Sequence, residues 1–342
     1  MAGNHNMFFA GGGEHDAWLA LREEEILDPD LPIVDAHHHL WLREPPPYLL
    51  REYVADITTG HNVVASVFAE CHSMYRASGP EAFRPVGETE FTTGIAAMAD
   101  SGVFGSARIC RATTGAVDCS MGGDVRPVLE AHVAAGGGRF RGVRVSAPYH
   151  GDLHTTVDGP DYLGYPAVRE AIGVLDDMGL SLDVWVYHTQ LDQVVDLAKS
   201  FPNLTIILNH YGAPILGAEF KGREDEVFTD WQASMNAIGK CENVYIKLGA
   251  MVLRSSDRSD PDLPPSSDDV VRAWGRWTDH AIQAFTPARA FFESNFPVHK
   301  RYVSFAVLYN AFKKMAAGYS QTEREDLFAG SAMRAYRFDL QD

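Results

Sequence analysis

The sequence predicts an α/β chain folded as one (β/α)8 barrel, and three observations carry that reading. From Pro32 onward, short apolar runs of strand type alternate with longer segments of helical period. The strand-type runs number eight, and histidines recur at the ends of several of them. Eight strands alternating with helices point to a closed parallel barrel more than to an open doubly wound sheet. At 342 residues the chain exceeds the usual domain size, yet a barrel takes up that length as a single domain.

Taken in order, residues 1–31 form an expected N-terminal extension, with a helix over the Glu- and Leu-rich segment 13–29, and the barrel domain occupies 32–342. The strand candidates are PIVDAHH (32–38), VVASVFAE (63–70), SARICRA (106–112), FRGVRVSA (140–147), SLDVWVYH (181–188), LTIILNH (204–210), VYIKLGA (244–250) and RAFFESNF (289–296). Between them, apolar residues recur at three and four in 166–179, 191–200 and 268–285, as in amphipathic helices. The segment DVRPVLEAHVAAG reads as a helix stopped by Gly136 to Gly138. Residues 252–267, VLRSSDRSDPDLPPSS, form a long polar loop after strand seven. It leaves the end of a strand where barrel enzymes build their sites, so it is either a lid over a substrate or an unstructured insertion.

Hydrophobic residues make up 46% and charged residues 22%, the balance of a soluble globular protein. A net charge of -17 removes the positive field that draws proteins to nucleic acid or anionic membranes. Cys71, Cys110, Cys119 and Cys241 form no C-x-x-C pair, which excludes a zinc ribbon and fits a reducing compartment. No basic segment precedes an apolar stretch at the N-terminus, and no apolar run reaches membrane-spanning length. A cytoplasmic enzyme with a small-molecule substrate is expected, with the oligomeric state left open between a monomer and the homo-oligomers that barrel enzymes often form.

The run VDAHHHLW (34–41) places three histidines at the end of strand one. Side chains alternate along a strand, so His37 and His39 share a face and His38 looks away. Strand five ends in His188, strand six in His210, and strand eight carries Glu293 and Asn295. Neutral imidazoles converging at one barrel mouth suit zinc, or another divalent transition metal such as manganese, with a position left open for water. His5, His15, His61, His72, His132, His150, His154, His280 and His299 have no comparable context and are expected on the surface or in loops.

The ordered set VDAHHHLW, VYHTQL (186–191), LNHYGAP (208–214), KLGA (247–250) and FESNFPV (292–298) resembles the amidohydrolase-related branch of the amidohydrolase superfamily. That branch comprises metal-dependent hydrolases of TIM-barrel fold and includes lactonases. The resemblance implies that His37 and His39 are the H-x-H of strand one, His188 the strand-five ligand and His210 the strand-six ligand. It departs at strand eight, where Asn295 stands in place of an Asp that family members use as metal ligand or general base. Glu293 faces the same way two residues earlier and is the preferred replacement, as ligand or as base; alternatively Asn295 only binds substrate and the base is Glu70, Glu88 or a histidine.

Arg144 and Lys247, helped by Arg108, are expected to hold a carboxylate or polarise a carbonyl, with Glu70, Cys71, Trp41 and Tyr211 completing the pocket. The expected reaction is hydrolysis of a cyclic ester of a small anionic substrate by a metal-activated water. The same resemblance covers metal-dependent decarboxylases of aromatic acids and lactonases whose histidines bind substrate without metal. The loss of Asp at Asn295 leaves a ligand-binding barrel without catalysis as a further alternative.

Overall fold

In the computed structural model, which describes residues 12–42, 46–151 and 153–340, eight parallel strands pair in strict chain order. They are β1 (Ile33–His38), β2 (Val63–Ala69), β3 (Arg108–Gly115), β4 (Phe140–Ser146), β5 (Ser181–Trp185), β6 (Ile206–Leu208), β7 (Val244–Leu248) and β8 (Ala290–Phe292). The first and last strands meet at their C-terminal ends. There Asn295 N donates to the His37 carbonyl and His39 N to the Phe296 carbonyl, each at 2.8 Å, so the barrel is nearly closed. Sequential parallel pairing is what repeated right-handed strand-helix-strand crossovers produce.

The principal helices of the outer layer are α1 (Glu14–Leu19), α2 (Leu50–Ile57), α3 (Val86–Asp100), α4 (Arg126–Ala135), α5 (Pro166–Asp177), α6 (Leu191–Ser200), α7 (Glu224–Ile238), α8 (Ser267–Phe285), α9 (Phe305–Met315), α10 (Gln321–Glu325) and α11 (Ser331–Tyr336). Their starts follow local chemistry. Pro166 opens α5 where a missing N–H costs nothing, and Ser266 caps α8 by accepting from Asp269 N while Asp269 reaches back to Ser266 N. Two apolar cores result. Helices pack on the outward strand faces, whereas Val34, Ala36, Ala65, Val67, Ala112, Ile207 and Phe291 fill the barrel together with Tyr336 and Phe338 from the C-terminal segment. That segment plugs the end of the barrel opposite the histidines.

Several boundaries differ from the expected ones. β5 stops at Trp185, because Tyr187 to Gln190 enter a turn in which the Gln190 side chain accepts from Tyr149 N at 2.9 Å and Tyr187 N at 3.3 Å. The N-terminal helix covers only Glu14–Leu19. Beyond it the chain runs extended as a strap: Glu24 accepts from Ser267 N at 2.8 Å, and Asn310 Oδ1 accepts from Leu27 N at 3.0 Å. Residues 1–11 of the expected extension lie outside the described residues. The loop over 252–267 is pinned from below by the buried Asp269, which accepts from the backbone and hydroxyls of Ser259 and Ser266 and from Arg272. Among the described residues no helix is long and apolar enough to cross a membrane.

Candidate active site

Strand β1 delivers its histidines through a bulge. Val34 and Ala36 face the barrel interior, and plain alternation from them would send His38 inward and His37 and His39 outward. The pairing with β2 instead advances from Asp35 opposite Ser66 to His38 opposite Phe68, which accommodates one extra residue on β1 and reverses the parity. His38 therefore stacks on Tyr53 in the helix layer at 4.0 Å and meets Ser66 Oγ at 2.9 Å. His37 and His39 turn inward with their Nε2 atoms 3.2 Å apart. His39 Nδ1 donates to the Ala69 carbonyl at 2.9 Å, so in the neutral ring Nε2 keeps its lone pair for the site.

At the other strand ends, positive φ angles of 58° at His210 and 56° at Tyr211 bend the chain sharply after β6. The bend aims the His210 ring at His37, 4.7 Å away, and puts its Nδ1 2.5 Å from Glu293 Oε1. Glu293 continues the inward face of Phe291. It fits there because Gly249 has no side chain: a Cβ at that position would lie 2.3 Å from Glu293 Cγ. Below, Lys247 Nζ donates to Asp183 Oδ2 at 2.7 Å and faces His37 Nδ1 at 3.0 Å. Asp183 also accepts from Asn209 Nδ2 at 3.0 Å and from the Tyr336 hydroxyl at 2.8 Å, so this buried ion pair is well satisfied.

Burial governs the protonation of these groups. It holds His37 well below the usual histidine range, with the charge of Lys247 adding to the effect, and does the same to His39 and His210 with help from Arg144. Glu293 is pushed up to about 8 by burial, against the pull of Lys247 and Arg144. The imidazoles are thus neutral at pH 7, the form able to coordinate a cation, and burial makes the Glu293 carboxyl hold a proton more tightly than usual.

Ligand atoms of His37, His210 and Glu293 all lie within 4.8 Å of one another, and all three residues are buried. Glu293 Oε2 is buried without an assigned hydrogen bond and lies 3.1 Å from His37 Nδ1, so two potential ligand atoms face each other across a short gap. Two neutral histidines and a carboxylate make a donor set that suits zinc or a similar divalent ion. The residues present fit such an ion.

Above this cluster opens a cavity of about 700 Å³. His39, His210 and Asn295 reach it, and Trp41, Glu70, Cys71 and Arg144 line it. Asn295 Oδ1 lies 3.2 Å from His39 Nε2. Arg144 bonds Glu70 Oε1 at 3.2 Å and Asn209 Oδ1 at 3.1 Å, with its guanidinium 5.2 Å from the Trp185 ring centroid. Burial acts to raise the Glu70 pKa, but the hydrogen bond from His72 and the charge of Arg144 bring it below the usual range. The 252–267 loop contributes Val252, Arg254 and Asp257 to the mouth.

Five expected positions lie elsewhere. His188 contributes no ligand atom to the cluster, for it sits three residues past the end of β5, out of step with the inward Asp183 and Trp185; its Nδ1 accepts from Ile215 N at 3.2 Å. Tyr211 is fully buried among helices, its hydroxyl 2.9 Å from Thr278 Oγ1, and does not face the cavity. Lys247 is fully buried beneath the floor and cannot meet a substrate carboxylate directly. Arg108 pairs with Asp100 at the outer, N-terminal end of β3. Glu88, considered as a base, is buried behind the wall, where Oε1 accepts from Cys71 N and Ser73 N.

Asp183, which anchors Lys247, and Trp185, which lines the cavity, go unmarked in the sequence reading. His72, His154 and His299, expected on the surface or in loops, line the cavity, and His299, like His61 and His132, is buried because its ring is packed beneath neighbouring elements. Shared parity along β5 could have found Asp183 and Trp185. No local signal marks His154 or His299.

Comparison with known proteins agrees with this geometry. A family model described as Amidohydrolase matches residues 34–338. A Sinorhizobium fredii protein, y4mH, itself uncharacterized, is 28% identical over 333 residues, covering 90% of this chain and 99% of its own. An L-fucono-1,5-lactonase of Burkholderia multivorans is 27% identical over 201 residues, 58% of this chain and 64% of that protein. Among solved structures, an amidohydrolase of Burkholderia multivorans with bound zinc shares 22% identity and superposes with a TM-score of 0.64, covering 90% of this chain and 99% of that one. Other structures of the same fold include both hydrolases and decarboxylases.

Proposed function

The chain belongs to the amidohydrolase family, and from that premise we propose that it is a metal-dependent hydrolase opening a cyclic ester. The observation that carries this reading is the buried cluster of His37, His210 and Glu293 under the floor of the cavity. The partial likeness to a lactonase favours an ester ring over an amide.

His37, His210 and Glu293 would hold the ion, with His39 beside them. When bound, a divalent ion supplies Lewis-acid polarisation of the carbonyl and acidifies a water. The protein groups divide the remaining work. Asn295 and Arg144 reach the cavity from two sides and orient the ester; Arg144 Nε and Nη1 are held by Asn209 and Glu70, so only its Nη2 is offered to the developing oxyanion. Water adds its oxygen to the acyl carbon, and its proton passes to Glu293. The ring C–O bond then breaks, and Glu293 returns the proton to the departing alkoxide, yielding a hydroxy acid. The 2.5 Å contact between Glu293 Oε1 and His210 Nδ1 holds the carboxyl in place for both transfers. Lys247 does not touch substrate; it fixes His37 and, through Asp183, the level of the floor.

The test pairs metal content with turnover. Protein purified without a histidine tag should carry about one equivalent of zinc or manganese per chain and hydrolyse members of a lactone panel. Incorporation of oxygen from labelled water into the product supports hydrolysis, whereas carbon dioxide release from hydroxybenzoates without it would replace this reading by decarboxylation.

A further inference from the structure

Around the cavity the cations are already engaged, with one exception. Arg144 is committed to Glu70 and Asn209, and Arg254 to Glu224 and Asp257. Lys300 pairs with Asp56 and Asp16. Its neighbour Arg301 lines the cavity yet makes no ion pair or hydrogen bond among the described residues, and its Nη2 is buried without an acceptor. The guanidinium lies 5.7 Å from the ring centroid of Tyr302. Burying an N–H of a charged group without an acceptor is unfavourable, and a bound carboxylate would supply that acceptor.

The position of Arg301 is set by the catalytic floor itself. The chain leaves Asn295, whose amide is 3.2 Å from His39, and turns back at once, with His299 N on the Asn295 carbonyl and Tyr302 N on the His299 carbonyl, each at 3.0 Å. Arg301 rides on that turn. The rest of the enclosure is largely apolar: Trp41, Leu153, Trp185, Ile215, Trp274 and Val298. A volume of about 700 Å³ sits well inside the range of pockets that enclose drug-sized ligands, and it is roomy for a single small ring.

We propose that Arg301 binds a carboxylate of the substrate, an elongated molecule whose apolar body lies along the tryptophan wall while its reacting group sits on the histidine floor. The planar fork of a guanidinium matches a carboxylate with two parallel hydrogen bonds, and none of those donors has to be taken from a protein partner first. The proposal rests on the reading of this cavity as the substrate site.

The test is equilibrium binding of two probes of equal shape, 2-naphthoate and its neutral amide 2-naphthamide, followed by quenching of the tryptophan fluorescence. The wild-type protein should bind the carboxylate at least about tenfold more tightly than the amide. In Arg301→Gln the naphthoate should weaken by roughly tenfold or more and the naphthamide stay within about twofold, so that the preference disappears. Arg301→Lys, which keeps the charge and loses the fork, should retain part of it and carries the same comparison should the Gln variant fold poorly. Equal affinities in the wild type, or a preference that survives both substitutions, would overturn the proposal. Because the readout is binding, an Arg301-dependent preference without lactone turnover would sink the hydrolase reading alone; turnover without such a preference would sink this one.

Discussion

The floor of the cavity and its wall are built on opposite plans. On the floor, residues at or just beyond the strand ends find one another: Lys247 with Asp183 and His37, Glu293 with His210, His37 with His39. The wall comes mainly from loops, is apolar and aromatic, and leaves the Arg301 guanidinium without an ion pair or hydrogen bond among the described residues. The difference teaches which part of the fold each task needs. Proton transfer and metal ligation demand atoms held to tenths of an ångström, which hydrogen-bonded strands provide; recognition tolerates the looser placement of loops.

Four substitutions sharpen or break that contrast. The largest effect is expected from Glu293→Gln, which keeps the shape of the floor and removes its proton carrier. It should lower kcat by ~10²–10⁴ on any cyclic ester the protein opens, and a loss under tenfold would move the base elsewhere. Next comes Lys247→Met, which leaves Asp183 buried with a charge and no cation. A loss of ~3–5 kcal/mol in urea unfolding is expected, largely restored when Asp183→Asn is added; equal losses in the single and double variants would show that the pair is not the source.

The third concerns Glu88, the carboxyl behind the wall. Burial and the neighbouring Glu70 raise it from 4.5 to about 8, so the folded state holds its proton more tightly than the unfolded state does. Its contribution to stability is complete below pH 4.5, declines as pH rises, and is gone above about 8. Wild-type stability should therefore fall between pH 5 and 8 by an amount on the order of 2–4 kcal/mol from this group, and Glu88→Gln should flatten the profile. Parallel profiles would show that Glu88 titrates alike in both states.

The smallest effect is expected from His188→Ala. Its bond from Ile215 N and its edge contact with the Phe220 ring are lost, about 1–2 kcal/mol together, and metal content should not change. Loss of the metal would bring His188 onto the floor and erase the distinction drawn here.

Several of these features were legible in the chain. Eight strands can be read from apolar runs of the right length, and the residue types at strand ends single out His37, His39, His210 and Glu293, which the fold brings together. Yet His37 and His39 face inward only because a bulge after Asp35 reverses the parity set by Val34 and Ala36. His188 was misplaced for the complementary reason: the apolar run continues past Trp185, but the strand does not, since Gln190 folds the chain into a turn. Tyr211 follows His210 directly, and left-handed backbone at both residues turns it into the helix layer.

What the sequence by itself determined is the repeat: strand and helix periods, their number, and the residue types that gather at one end. These are local properties, decided by side-chain spacing and turn chemistry within a few residues. What only the tertiary structure decided is pairing. That Lys247 is held by Asp183, Arg144 in part by Glu70 and Lys300 by Asp56, while Arg301 has no such partner among the described residues, depends on residues scattered through the chain. No local pattern encodes such distances, because they follow from how the barrel closes and which loops then share one mouth.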